Sequence, residues 1–258
     1  MERVELFGLP FIAAADHGPV IQEALAWPLQ PLQAGELPLL STPNVDQVVK
    51  LHRAEHVALL ERISQARYVL PDGQPIVWVS KLRKGKALPA RLAGSDLFPA
   101  LWKELAQRQA PVFMVLANEA IGEALKKENQ AMCWTVPPFY SIADAKAEGS
   151  VVDAVMDELM ARPVPLVFLG LGFPKQERLA LALVERLRGA AQPMPLFLLL
   201  GASFEFHAGL KQRAPRIWQK LGLEFLHRFL SEPKRMFRRY FVDDLAFFRI
   251  ALKEIRSR

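Results

Sequence analysis

Two hydrophobic patterns alternate along most of this chain. The first is a short run of consecutive apolar residues, which is typical of a strand buried on both faces of a sheet. Runs of this kind lie at positions 4–12, 68–70, 112–116, 131–136, 164–169 and 195–200. The second pattern repeats every three or four residues, which predicts helices over 18–27, 45–66, 98–108, 119–127, 151–161 and 178–188. Strands that alternate with helices predict an α/β fold with a mostly parallel sheet and flanking helices.

Glycine and proline refine these assignments. Gly8 and Pro10 interrupt the first predicted strand. A loop is predicted where three prolines cluster, at positions 28, 31 and 38. The stretch over 75–81 fits a helix or a strand, because its periodicity does not distinguish the two. The boundaries of the first third of the chain therefore depend on turn residues more than on periodicity.

The strand at 164–169 ends in a glycine-rich junction, Gly170-Leu171-Gly172-Phe173-Pro174-Lys175-Gln176-Glu177. In parallel sheets, ligands bind at the carboxyl ends of the strands. Gly170 and Gly172 lack side chains that would block a close approach of the backbone to a ligand. The amide groups that open the next helix suit an anion such as a phosphate. Because Lys175, Gln176 and Glu177 are polar, the junction is predicted to be a binding site.

Two other predicted strands are also followed by polar residues. Thr42 and Asn44 come after the apolar residues at 39–40, and either could cap the helix that follows. Asp72 comes after the strand at 68–70. The carboxyl ends of parallel strands share one edge, so we expect these side chains to meet Gln176 in one cleft. There Asp72 would act as a general base, although Pro71-Asp72-Gly73 is also a common turn sequence.

Two further motifs have alternative interpretations. Gly201-Ala202-Ser203 follows the strand at 195–200, so it either approaches a phosphate or nucleoside or forms a packing turn. His52-Arg53-Ala54-Glu55-His56 matches a zinc-peptidase pattern that needs both histidines on one helix face. A solvated helix face is the simpler interpretation, since no third ligand can be assigned. Cys133 lies in an apolar run and is expected in the core.

Charge divides the chain at about residue 211. From Lys211 onward there are 13 Lys and Arg against five Asp and Glu, a net charge of +8, whereas the preceding residues carry −2. The basic part mixes aromatic residues with Arg and Lys and reads as helical from Trp218. We therefore predict a core over 1–210 and a basic appendage over 211–258, with an anionic partner such as a phospholipid surface, a diphosphate or a nucleic acid. A single cysteine excludes an intrachain disulfide and suits the cytosol.

Six motifs in this order resemble the WecG/TagA/CpsF family of bacterial glycosyltransferases. They are Thr42-Pro43-Asn44, Pro71-Asp72-Gly73, Arg91 to Leu97, Gly170 to Glu177, Arg213-Ala214-Pro215 and Gly222 to Arg228, and the stretch from Glu232 to Tyr240 completes the set. The resemblance covers nearly the whole chain, from about Val4 to Phe241. It implies a Rossmann-like fold with a basic helical C-terminal appendage.

The resemblance also implies an activity. The family moves a sugar from a UDP-sugar, such as UDP-N-acetylmannosamine or its uronic acid, to an undecaprenyl-diphosphate-linked saccharide. The reaction inverts the anomeric carbon and needs no metal ion, so no cofactor is expected. Expected partners are the donor, the lipid-linked acceptor, an anionic membrane surface at the cytosolic face and further copies of the chain, rather than a nucleic acid.

Site residues follow from the resemblance and from the strand ends together. The expected catalytic set is Asp72 as the base with Thr42, Asn44 and Gln176. The expected substrate-binding set is Arg91, Gly170, Gly172, Lys175, Glu177, Gly201, Ser203, Glu205, Arg213, Arg228, Arg235, Arg238 and Arg239. The sequence departs from the family pattern at Ala90, Leu116-Ala117, Pro137-Pro138 and Glu205. With these departures, a non-catalytic UDP-sugar or nucleic-acid binding protein on the same scaffold remains the alternative.

Overall fold

The computed structural model describes residues 1–27, 32, 34–190, 194–211 and 245–256. One sheet runs through this part of the chain. Its strands are β1 (Arg3–Leu6), β2 (Leu9–Ile12), β3 (Leu37–Ser41), β4 (Ala66–Val69), β5 (Phe113–Val115), β6 (Cys133–Thr135), β7 (Leu166–Leu169) and β8 (Leu196–Leu199). Their order across the sheet is β1-β2-β4-β3-β8-β7-β5-β6. The first pair is antiparallel and every other pair is parallel.

Helices connect the strands. The helices in the described residues are α1 (Gly18–Leu25), α2 (Val45–Leu51), α3 (Val57–Ile63), α4 (Gln74–Leu82), α5 (Gly94–Gln107), α6 (Glu119–Lys126), α7 (Ala145–Ala161), α8 (Lys175–Gly189), α9 (Ser203–His207) and α10 (Leu245–Arg256). The predicted α/β fold is therefore confirmed, with a mostly parallel, Rossmann-like sheet. In the described residues, no helix has both the length and the apolar character needed to cross a bilayer.

The core has two layers because alternate residues of each central strand point to opposite faces of the sheet. In β3, Leu39 packs into the layer beneath α2, α4 and α8, and Leu40 packs into the layer beneath α1 and α5. Val167 and Phe168 of β7 divide in the same way. Burial on both faces explains why these strands read as continuous apolar runs.

Strand order places four carboxyl ends side by side. β4, β3, β8 and β7 are consecutive neighbours, and all are parallel. The segments that follow them contain Asp72, Thr42, Ser203 and Gln176 in that order. The fold thus brings to one edge the polar strand ends that are far apart in sequence.

Helix α10 packs against the sheet-bearing core, although it belongs to the predicted appendage. The ring of Phe247 lies 5.6 Å from that of Phe7. Glu254 accepts a hydrogen bond from the Phe7 amide at 3.1 Å and pairs with Arg83 at 3.2 Å. These contacts tie the end of the described chain to the hairpin of β1 and β2 and to α4.

Several predicted boundaries differ from the structure. The run at 4–12 is a hairpin of two strands, since Phe7 and Gly8 both adopt positive φ between them. Pro38 lies within β3, where the pairing with β4 shifts register between Leu37 and Leu40, so its missing amide disrupts no regular ladder. The ambiguous stretch at 75–81 is helical, within α4.

Two helix predictions also need correction. The helix predicted over 45–66 is divided into α2, a 3-10 turn at Ala54–His56 and α3. The helix predicted to begin at Arg178 begins at Lys175. Gln176 and Glu177 therefore lie in its first turn rather than in the loop before it.

Candidate active site

Three polar side chains surround Gly94, the first residue of α5. The Gly94 amide donates a hydrogen bond to Oδ2 of Asp72 at 3.2 Å. A Cβ atom built on Gly94 would lie 2.9 Å from Oγ1 of Thr42 and 3.3 Å from Oγ of Ser203. Both hydroxyl-bearing residues are buried. The start of α5 therefore brings a carboxylate and two hydroxyl groups together, each following a different strand.

Backbone hydrogen bonds hold Asp72 in place. Its amide donates to the carbonyl of Pro43 at 3.3 Å, which extends the pairing of β4 and β3 beyond the strands. The Leu92 amide donates to the carbonyl of Pro71 at 2.9 Å. The Pro-Asp-Gly segment thus connects a strand to α4, whose N-cap is Gly73, and presents Asp72 to the start of α5.

Asn44 caps α2, as one of the two sequence interpretations predicted. Its Oδ1 accepts a hydrogen bond from the Gln47 amide at 3.1 Å, and the Gln47 side chain accepts one from the Asn44 amide at 3.0 Å. This reciprocal capping box stabilises the start of the helix. The Asn44 side chain therefore has a structural role, and its catalytic role stays a prediction.

Gln176 lies between two glycine turns. Its Oε1 accepts a hydrogen bond from the Gly172 amide at 3.3 Å and lies 3.8 Å from the position of a Cβ on Gly201. Gly172 and Gly201 have φ angles of +73° and +51°, a region that favours glycine. Gly170 differs, because a Cβ there would meet the Phe204 ring at 2.8 Å. The small size of Gly170 thus serves packing.

Glu177 is buried with Gln176 in the first turn of α8. Its Oε1 accepts a hydrogen bond from Nε2 of Gln176 at 3.1 Å, whereas Oε2 has no hydrogen-bond partner among the described residues. Burial raises the pKa of Glu177 to about 7, against the opposing effects of the Gln176 hydrogen bond and of Lys50. A carboxyl group that titrates near neutral pH is an unusual member of a helix face that otherwise packs against the sheet.

The other described binding candidates have side-chain partners. The Lys175 ammonium lies 4.5 Å from the ring centres of both Phe139 and Tyr140. Arg91 pairs with Asp96 at 3.2 Å, in the first turn of α5. Glu205 pairs with Lys211. The predicted appendage arginines lie outside the described residues: Arg213, Arg228, Arg235, Arg238 and Arg239.

His17 is a neighbour of this site that sequence reasoning missed. Its Nε2 donates a hydrogen bond to the Ala93 carbonyl at 3.1 Å, immediately before Gly94. Burial lowers the pKa of His17, although Asp96 and the Ala93 carbonyl oppose the shift. No pattern around residue 17 indicates this contact, because α1 and α5 meet only in the folded chain.

The zinc-peptidase pattern is not formed. His52 follows the end of α2 and donates through Nδ1 to the Val48 carbonyl at 2.8 Å. His56 ends the 3-10 turn and contacts the Phe173 ring edge-on. The two histidines therefore do not share one helix face. Over the described ranges, no group of three or more His, Cys, Asp or Glu side chains is arranged to hold a metal ion.

Comparison with known protein families identifies the family of this chain. The model of the family described as "Glycosyl transferase WecG/TagA/CpsF family" matches residues 4–258, essentially the whole chain. Members of this family are glycosyltransferases of cell-surface polysaccharide synthesis, which use a nucleotide-sugar donor and a lipid-linked acceptor. The chain that forms this polar edge therefore belongs to the WecG/TagA/CpsF glycosyltransferase family.

Proposed function

We propose that this glycosyltransferase moves a sugar from a UDP-sugar to an undecaprenyl-diphosphate-linked saccharide, with inversion of the anomeric carbon and without a metal ion. The donor would be UDP-N-acetylmannosamine, its uronic acid or a UDP-hexose. The observation that carries the proposal is the position of Asp72, beside Thr42 and Ser203 and against the first amide of α5. The family membership supports the donor and acceptor classes.

In the proposed reaction, Asp72 removes the proton from the attacking hydroxyl of the acceptor. The hydroxyl oxygen forms a bond to the anomeric carbon of the donor sugar, on the side opposite UDP. The bond from that carbon to the phosphate oxygen breaks, and its electron pair leaves with UDP. The Gly94 amide orients Asp72, and the positive end of α5 favours the negative charge of the carboxylate.

The departing UDP needs its negative charge stabilised. The turn at 170–174 and the start of α8 lie at the end of β7, beside the turn at Gly201. Amides at a helix start stabilise anionic groups, and arginine side chains bind phosphates with two parallel hydrogen bonds. We assign these tasks to the α8 start and to the arginines of the appendage, which is the reason for placing Gly172 and Lys175 in the donor site.

The lipid-linked acceptor requires the enzyme to work at a membrane, which we place at the cytosolic face. One face of α10 supports this placement, since its exposed residues combine two apolar side chains, Phe248 and Leu252, with Arg249, Lys253 and Arg256. Apolar and basic groups on one helix face suit an anionic lipid surface. Sedimentation with anionic vesicles that equals sedimentation with neutral vesicles would contradict the placement.

Asp72→Asn tests the proposed function. Asparagine keeps the shape of the side chain and can still accept the Gly94 amide, but it is not a base. We expect kcat to fall by about 10²–10⁴-fold, while UDP binding measured by calorimetry changes less than threefold. The assay follows UDP release from a panel of UDP-sugars, with and without the lipid-diphosphate acceptor.

A matched control is Asp144→Asn. Asp144 also accepts a backbone amide, that of Ala147, at the start of α7, so it controls for the chemical change itself. It should retain full activity. Full activity of Asp72→Asn would remove Asp72 from the mechanism, and UDP-sugar binding by the wild type without any turnover would favour a non-catalytic binding protein.

A further inference from the structure

The buried face of α8 contains two polar residues that its packing does not require. Apart from Gln176 and Glu177, the buried members of the helix are Leu179, Ala180, Leu183, Val184 and Leu187. Glu177, Ala180 and Val184 recur at helical spacing, so Glu177 occupies a place on an apolar stripe. Burying a carboxyl group costs free energy unless its oxygens are paired. In the part of the chain that the structure describes, Oε2 of Glu177 has no hydrogen-bond partner, so packing alone does not explain this residue.

Among the described residues, the side chain that hydrogen-bonds to Glu177 belongs to a predicted site residue. Its Oε1 accepts a hydrogen bond from Nε2 of Gln176 at 3.1 Å. At the other end of the same amide group, Oε1 of Gln176 accepts from the Gly172 amide at 3.3 Å. The side-chain amide of Gln176 is therefore held at both ends, by Glu177 at Nε2 and by the Gly172 amide at Oε1.

This arrangement fixes which way the amide faces. If the amide were rotated by 180°, its NH₂ group would face the Gly172 amide and its oxygen would face the carboxyl group. Both contacts would then be repulsive, because they pair two donors or two acceptors. A carboxylate only accepts hydrogen bonds, so it selects the NH₂ end of Gln176 without ambiguity. Protonation of the unpartnered Oε2 would leave Oε1 as an acceptor.

We propose that Glu177 is a positioning residue that acts through Gln176, rather than a residue that binds the substrate. Its buried oxygen holds the Gln176 amide so that one Nε2 hydrogen is engaged and the second is left for an oxygen of the sugar nucleotide. The inference rests on the proposed function for its substrate, but not for the hydrogen bond itself. It replaces the expectation that Glu177 contacts the donor directly.

A pair of variants in the full-length chain separates the two roles. Glu177→Gln keeps an oxygen that accepts the hydrogen bond and removes the charge, whereas Glu177→Met keeps the approximate size and removes the acceptor. We expect Glu177→Gln to retain kcat within about fivefold and Glu177→Met to lose about 10–100-fold. Equal loss in both variants would mean that the charge is required and would overturn the proposal, as would wild-type activity in both.

A double-variant cycle tests whether the effect passes through Gln176. Gln176→Met combined with Glu177→Met should be no slower than Gln176→Met alone, because the group that Glu177 positions is already absent. Multiplied effects of the two changes would contradict a positioning role. Glu36→Gln is the matched control for neutralising a buried glutamate. Glu36 is 7% exposed and lies at the other edge of the sheet, so kcat should not change below the melting transition.

A readout without turnover keeps this test independent of the proposed function. In protein labelled with ¹⁵N at glutamine, the side-chain NH₂ protons of Gln176 should exchange with water at least tenfold faster in Glu177→Met than in the wild type. Glu177→Gln should retain slow exchange. If the wild type transfers no sugar but this contrast is present, the proposed function fails and the positioning role stands. If exchange is the same in all three proteins, the positioning role fails.

Discussion

The central sheet has an amino edge, where its parallel strands begin, and a carboxyl edge, where they end. A glutamate side chain is buried at each edge, but the two have different partners. At the amino edge, Glu36 precedes β3 and pairs with Arg3 at 2.5 Å and with Arg67 at 2.7 Å. At the carboxyl edge, Glu177 contacts a neutral amide, and within the described ranges one of its oxygens has no hydrogen-bond partner. Both residues are almost completely buried. The difference lies in what each carboxyl group is paired with.

The partners of each buried glutamate indicate whether it serves stability or function. The buried carboxylate of Glu36 ties the starts of β3 and β4 to β1, because each of its two oxygens accepts a hydrogen bond from a guanidinium group. A buried carboxyl group that accepts a hydrogen bond from a neutral amide at only one oxygen costs stability, so it persists where the local arrangement has another use. The carboxyl edge also contains Thr42 and Ser203, which are buried around Gly94. We therefore expect changes at the amino edge to reduce stability and changes at the carboxyl edge to reduce activity.

The largest stability effect is expected for Glu36→Gln. Removing the charge leaves Arg67, whose side chain is only 14% exposed, without its nearest counter-ion. Arg67 keeps Glu23 at 3.5 Å, so the cost should lie at the lower end of the range for breaking a buried ion pair, about 3–4 kcal/mol, which urea unfolding monitored by circular dichroism would measure. Sugar transfer below the unfolding range should stay at the wild-type rate. A loss of kcat as large as that of Glu177→Met would end the distinction between the two edges.

The next effect is the pH dependence of stability due to Glu177. Its pKa is about 7 in the folded chain and 4.5 as the reference value, so the folded state binds the proton more tightly than the unfolded state. The stabilisation is complete below pH 4.5 and is lost as pH rises through 7. A difference of this size corresponds to about 3 kcal/mol.

Urea unfolding at pH 5 and pH 8 measures this contribution. The free energy of unfolding of Glu177→Gln, relative to wild type, should rise by about 3 kcal/mol between the two pH values. Lys50 is the charged neighbour that opposes the shift. Glu185→Gln, on the exposed part of the same helix, is the control and should change less than 1 kcal/mol. A constant difference between Glu177→Gln and wild type at both pH values would contradict the assignment.

The sequence predicted the class of the fold because strands that are buried on both faces have a recognisable apolar pattern. Continuous apolar runs and helical spacing identified β5, β7, β8 and the helices between them. Prediction from the sequence was wrong where tertiary contacts override the local preference of the chain. Pro38 indicates a loop, but the irregular pairing of β3 accommodates it. The helix over 45–66 has suitable spacing throughout, but the chain turns between Leu51 and Val57.

The candidate site was predictable to the extent that it follows from topology. Parallel strands end at one edge, so Asp72, Thr42 and Gln176 were expected near one another. The sequence did not predict the burial of Glu177, because the predicted helix begins at Arg178, one residue after it. Starting it at Lys175 would have placed Glu177 on a face with Ala180 and Val184. The contact of His17 with Ala93 had no sequence signal, since it depends on how α1 and α5 meet.

The smallest stability effect is expected for Gly94→Ala. This variant also tests whether the carboxyl edge serves activity rather than stability. A Cβ on Gly94 would lie 2.9 Å from Oγ1 of Thr42 and 3.3 Å from Oγ of Ser203. The Cδ2 atom of Leu200 also lies 3.3 Å from that position, and overpacking that shifts the two buried hydroxyl groups should cost about 2 kcal/mol. Their displacement should nevertheless reduce kcat/KM for sugar transfer at least about tenfold, if the carboxyl edge is arranged for substrate. Gly149→Ala is the matched control, because Gly149 is half-buried within α7 and a Cβ there has no atom within 4 Å. It should raise stability by up to about 1 kcal/mol and leave transfer unchanged. Should Gly94→Ala unfold the protein at low urea while the folded fraction keeps wild-type kcat/KM, the carboxyl edge would be a structural element like the amino edge.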